Sequence, residues 1–144
     1  MAKNTGKPSE TFFETVWQSL GKRAFCYRIA DAAENYGRTK TIGMIRATPS
    51  DYIVTFDGET FYAEVKSTQE KTSFPFALLK KGQRAAGPQV VTAGGGYFVF
   101  AHNLSTGRWY RIPYQVITAV KELGRSSIPW TELESLSWTP PRNS

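Results

Sequence analysis

Asp51-Tyr52-Ile53-Val54-Thr55-Phe56-Asp57-Gly58-Glu59-Thr60-Phe61-Tyr62-Ala63-Glu64-Val65-Lys66 is the stretch on which the fold turns. Two runs rich in aromatic and β-branched residues flank Asp57-Gly58, the strongest short hairpin signal a sequence offers. A two-residue turn there fixes the register by subtraction: Phe56 faces Glu59, Val54 faces Phe61, Tyr52 faces Ala63, and Asp51 faces Glu64. Tyr52, Val54, Phe56, Phe61, Ala63 and Val65 then share one apolar face, the predicted core side. Asp51 and Glu64 share the other face with Lys66, with directly opposed Cβ atoms about 4.5–5.5 Å apart.

Like charges placed opposite one another repel. A divalent cation between them reverses the sign of that interaction, and carboxylate oxygens without His or Cys suit Mg²⁺ or Mn²⁺ rather than zinc. Lys66 could then hold a water or stabilise charge on a phosphate, beside a metal able to polarise that phosphate. The plain alternative is an acidic pair at an exposed strand end, neutralised by Lys66. A three-residue turn would put the two acids on opposite faces.

The rest of the chain predicts one mixed α/β domain of residues 9–138 between flexible ends at 1–8 and 139–144. Ser9 is the expected N-cap of a helix carrying Phe12, Phe13, Val16, Trp17 and Leu20 and stopping at Gly21. Ala24 to Ile29 reads as a strand, with Cys26 a small core residue. Residues 31–50 lack a period; Arg38, Lys40 and Arg46 make this a basic loop. Phe76 to Ala93 reads as helical but interrupted at Gly82, Gly87 and Pro88. A second hairpin, Gly96 to Ala101 with Arg108 to Ile112, precedes a helix from Pro113 to about Leu123 and a short helix near Trp130 to Leu136. His102 is expected at a strand end on the surface, and one of Trp109 and Tyr110 is expected to face outward.

The chain has 144 residues, 40% hydrophobic and 21% charged, which excludes a disordered chain. Its longest apolar run, Tyr97 to Ala101, is far short of the ~20 residues of a membrane helix. No apolar segment follows Lys3 and Lys7, so no signal peptide is expected. One cysteine and one histidine rule out an internal disulfide and Cys-rich zinc sites. Eighteen Lys and Arg against twelve Asp and Glu give +6, which favours a polyanionic partner. Lys80, Lys81 and Arg84 follow the proposed site and are either phosphate contacts or a solvated helix face.

Pro49-Ser50-Asp51 followed by Glu64-Val65-Lys66 resembles the PD-(D/E)xK nuclease signature. Phe13-Glu14 in the first helix, Asp51-Tyr52, the run Glu64-Val65-Lys66-Ser67-Thr68, Phe74-Pro75 and Gln83 sharpen the resemblance to the RecU-like Holliday-junction resolvases. It spans roughly residues 8–112. The resemblance implies a restriction-endonuclease-like mixed sheet flanked by helices, with Mg²⁺ or Mn²⁺ held by Asp51, Glu64 and the Val65 carbonyl. It further implies Lys66 as catalytic lysine, Glu14 as an additional acid and Gln83 orienting water or the scissile phosphate. Glu10, one helical turn earlier, is the alternative to Glu14. Residues 31–50 resemble a stalk-like insertion that would grip a four-way DNA junction through Arg38, Lys40 and Arg46. The function implied is a homodimeric structure-selective endonuclease, cytoplasmic and bacterial or phage-encoded. A nuclease for other duplex or damaged DNA, or a non-catalytic DNA-binding module, are the alternatives.

Overall fold

The computed structural model describes residues 6–29 and 48–143, except for the side chain of Lys81. Arg38, Lys40 and Arg46, and with them the basic loop, lie outside the described residues. The hairpin forms in the expected register, β2 (Tyr52–Phe56) against β3 (Glu59–Thr68), from Phe56 opposite Glu59 to Tyr52 opposite Ala63. Asp57 at φ 49° and Gly58 at φ 88° supply the left-handed pair that a two-residue turn of this hand requires.

Around the hairpin a five-stranded sheet forms in the order β1-β2-β3-β5-β6, with β1 at Ala24–Arg28, β5 at Gly96–Asn103 and β6 at Arg108–Pro113. β3 and β5 are parallel and the other pairs antiparallel. That parallel pair needs a crossover, and α2 (Lys81–Thr92) supplies it. The result is the mixed α/β sheet flanked by helices that the sequence predicts.

Each face of the sheet has its own core. On one side α1 (Gly6–Gln18) buries Phe13, Val16 and Trp17 against Tyr52, Val54, Phe61, Ala63, Val65 and Phe100. On the other, α2 and α3 (Tyr114–Glu122) cover Tyr97, Val99, Ala101, Tyr110 and Ile112. Two covered faces explain why Trp109 and Tyr110 are both buried, against the expectation that one faces outward. Trp109 stacks on His102 and Phe12 and meets Trp138 edge-on, between α1 and the tail, and Tyr110 stacks on Trp130. The sequence reading also missed a small second sheet, β4 (Ser73–Pro75) with β7 (Ser127–Pro129), whose three-residue strands are too short to show a period. The short helix at Trp130–Leu136 forms as a 3₁₀ helix.

Two further expectations change. α1 starts at Gly6, so Ser9 is no N-cap; it is buried inside the helix, its hydroxyl 2.8 Å from His102 Nδ1. Pro8 lies in the first turn, where a missing N–H costs no helical bond. His102 does sit near the end of β5, but half-buried rather than on the surface. Cys26 packs against the α1 core, its thiol pushed up to about 12 by burial and then by Glu14, while Phe25 and Tyr27 beside it are exposed.

α2 runs unbroken through Gly82, Gly87 and Pro88, because packing on the sheet and on α3 outweighs local propensity. Gly87 is required there: an added Cβ would lie 2.5 Å from the ring of buried Tyr114 on α3. Alanine would gain about 1 kcal/mol in helix propensity, but a Cβ that close overpacks the buried ring at the upper end of the usual overpacking cost, about 2–3 kcal/mol. Gly87→Ala is therefore expected to lower stability by about 1–2 kcal/mol, read as an earlier urea midpoint at unchanged slope. An unchanged or later midpoint would show that the two helices are not in close contact at Gly87.

Candidate active site

The hairpin register carries the acids past its last ladder pair into direct contact. The backbone N–H of Asp51 donates to Glu64 Oε1 at 2.9 Å, and the N–H of Val65 donates to Asp51 Oδ2 at 3.1 Å. Each carboxylate is thus fixed by the other strand's backbone. Ile29, at the end of β1, ties the same point to the sheet by donating its N–H to the Asp51 carbonyl at 2.8 Å. Glu64 is fully buried. Its Oε2 accepts no well-directed hydrogen bond among the described residues but lies 3.1 Å from Lys66 Nζ, on a side chain 15% exposed.

Burial raises the Glu64 pKa well above the carboxylate range, the Asp51 charge adds to that, and Lys66 opposes it. Folded protein holds the Glu64 proton more tightly than the unfolded chain does. Glu64 consequently favours folding most at pH below its ordinary pKa, and this contribution is lost as pH rises through the folded-state value. In metal-free protein the melting temperature of Glu64→Gln is expected to gain on wild type between about pH 4 and about pH 8. Thermal unfolding of both proteins over that range measures it; a constant difference would place Glu64 in an unstrained environment.

The donor set suits a hard divalent cation: two carboxylates braced by backbone N–H groups, one keeping a buried oxygen paired only with an ammonium. The third acid expected here is engaged elsewhere. Tyr52 O–H donates to Glu14 Oε2 at 2.5 Å, and Arg28 NH1 donates to Tyr52 Oη at 3.0 Å and to Glu10 Oε1 at 3.2 Å. Arg28 NH1 also lies 3.9 Å from Glu14 Oε2. Glu10 and Glu14 are thus both held by one guanidinium, on the α1 side of the sheet. Among the described residues no group of three or more His, Cys, Asp or Glu comes together as a metal site.

Sequence reasoning missed Tyr52 and Arg28. The register of β1 with β2, which pairs Arg28 with Tyr52, was the signal, but it needed the position of β1 in the sheet. It also missed Tyr97, whose hydroxyl donates to the Pro49 carbonyl and fixes the approach to Asp51. Gln83, buried at the start of α2, accepts the Lys80 N–H at Oε1, 2.8 Å away, and so caps its own helix. Lys80 and Arg84 are exposed on and before α2.

Among the described residues no helix is long and apolar enough to cross a membrane. Comparison with curated proteins finds none that matches the chain. The family model for RecU, recombination protein U, matches residues 11–139 and so takes in both strands of the acid pair, Lys66 and the helices on either face. The chain belongs to the RecU family.

Proposed function

We propose that the protein is a Holliday-junction resolvase, a structure-selective endonuclease that uses Mg²⁺ or Mn²⁺ and acts as a homodimer on four-way DNA. The observation that carries this reading is the reciprocal bracing of Asp51 and Glu64 with Lys66 beside them. Family membership supports the substrate class. Two symmetric nicks in strands of like polarity across a branch point call for two identical centres related by a two-fold axis, which is the reason for a dimer.

Asp51 and Glu64, with the Val65 carbonyl, would hold the cation, and Glu14 would join them only after leaving Tyr52 and Arg28. When bound, the cation polarises the scissile phosphate and lowers the pKa of an attacking water. Lys66 lies beside Glu64 in the metal-free site and would stabilise charge developing on the phosphate oxygens. Gln83 has its carbonyl committed to the helix cap, so its NH₂ group is what would orient water or phosphate. Arg38, Lys40, Arg46, Lys80, Lys81 and Arg84 would provide phosphate contacts, whose strength falls with salt. The protein would work in the cytoplasm of a bacterium, from its own or a phage gene.

The experiment is a competition between a labelled immobile four-way junction and a linear duplex of the same sequences, with Mg²⁺. Preferential cutting of the junction is the expected result. Equal cutting would make the protein a general duplex nuclease, and binding without cutting under Mg²⁺ and Mn²⁺ would make it a DNA-binding module.

A further inference from the structure

A cleft of about 580 Å³ opens between α2, α3 and the β4–β7 sheet, on the face opposite α1. Arg84 of α2, Lys121 of α3 and Arg125 in the following loop line it, with Ser73, Ser126 and Ser127, and no carboxylate does so among the described residues. Cations from separate elements that converge on one hollow repel each other unless an anion joins them. Arg125 is paired with Glu132 at 3.2 Å, but that pair is partly exposed and readily exchanged.

A second observation points the same way. An adjoining hollow of about 270 Å³ is lined by Arg84 and Lys121 again, with Tyr114 and with Glu122 as its one acid. Tyr114 is 1% exposed, and its hydroxyl has no hydrogen-bond partner among the described residues. Gly87 lets the ring lie this close to α2. The Tyr114 ring in the hollow's wall is also in packing contact with the approach to the acid pair. Tyr114 meets Tyr97 edge-on at 5.3 Å, and Tyr97 is bonded to Pro49 ahead of Asp51.

We propose that this cleft holds backbone phosphates of a DNA arm, with Arg84, Lys121 and Arg125 as charge partners. The inference rests on the reading of DNA as substrate. Phosphate oxygens accept from guanidinium, ammonium and hydroxyl groups alike, and such contacts set the register of a duplex without reading its sequence. An open cleft fits a passing phosphodiester chain better than an enclosed small ligand.

The test measures the affinity of the full chain for a four-way junction in the presence of chelator, over a series of salt concentrations. Lys121→Gln combined with Arg125→Gln is expected to make the slope of log K against log salt shallower by about 1–2. A double variant with the wild-type slope overturns the cleft while leaving the reaction centre's reading intact. Wild-type protein that binds neither junction nor duplex at low salt overturns both the cleft and the proposed function.

Discussion

Asp51→Asn and Glu64→Gln are each expected to reduce junction cleavage by about 10³-fold or more while leaving junction affinity in chelator unchanged. Both substitutions keep the shape of the side chain. The amide oxygen introduced by Asp51→Asn can still accept the Val65 N–H, and that introduced by Glu64→Gln can still accept the Asp51 N–H, so the bracing that orients the strand ends survives. What each removes is one negative charge from the proposed cation site. At 1.36 kcal/mol per tenfold in rate, a 10³-fold loss is about 4 kcal/mol, within the several kcal/mol a Lewis-acid cation supplies. Affinity rests on other residues, the lysines and arginines that meet phosphates. Single-turnover cleavage beside a binding titration measures both quantities. Wild-type turnover by either variant at limiting Mg²⁺ would remove that residue from the centre.

Lys66→Ala is expected to lower the rate by about 10²–10³, with much less change in affinity. The ammonium lies 3.1 Å from Glu64 Oε2 and is mostly buried; on the proposed reading it would meet charge that develops during the reaction rather than charge already on the DNA. Its loss also leaves Glu64 buried without its counter-charge, so melting temperature needs to be recorded alongside. A parallel fall in rate and affinity would make Lys66 a binding residue. An unchanged rate would leave only its pairing with Glu64.

The acid pair was legible because its parts are local. Asp57-Gly58 sets the turn, the turn sets the register, and the period of two puts Asp51, Glu64 and Lys66 on one face. The apolar alternation of the same strands likewise marks the α1 core. What failed depends on partners distant in sequence. The continuity of α2 through Gly87 and Pro88 is decided by Tyr114, a residue of the next helix. Ser9 takes its role from His102, and the burial of both Trp109 and Tyr110 requires knowing that helices and tail cover both faces of the sheet. The Glu14 environment shows the same limit. Its helix and its phase are readable, but Tyr52 and Arg28 meet it only once β1 and β2 pair.

Mapping the cut positions on all four labelled strands of an immobile junction tests the central claim most directly. With Mg²⁺ or Mn²⁺ the wild-type protein is predicted to leave paired nicks at symmetric positions across the branch point, and none in chelator. Intact strands with both metals, under conditions where the junction is bound, would contradict the assignment of Asp51, Glu64 and Lys66 as a phosphodiester-cleaving centre.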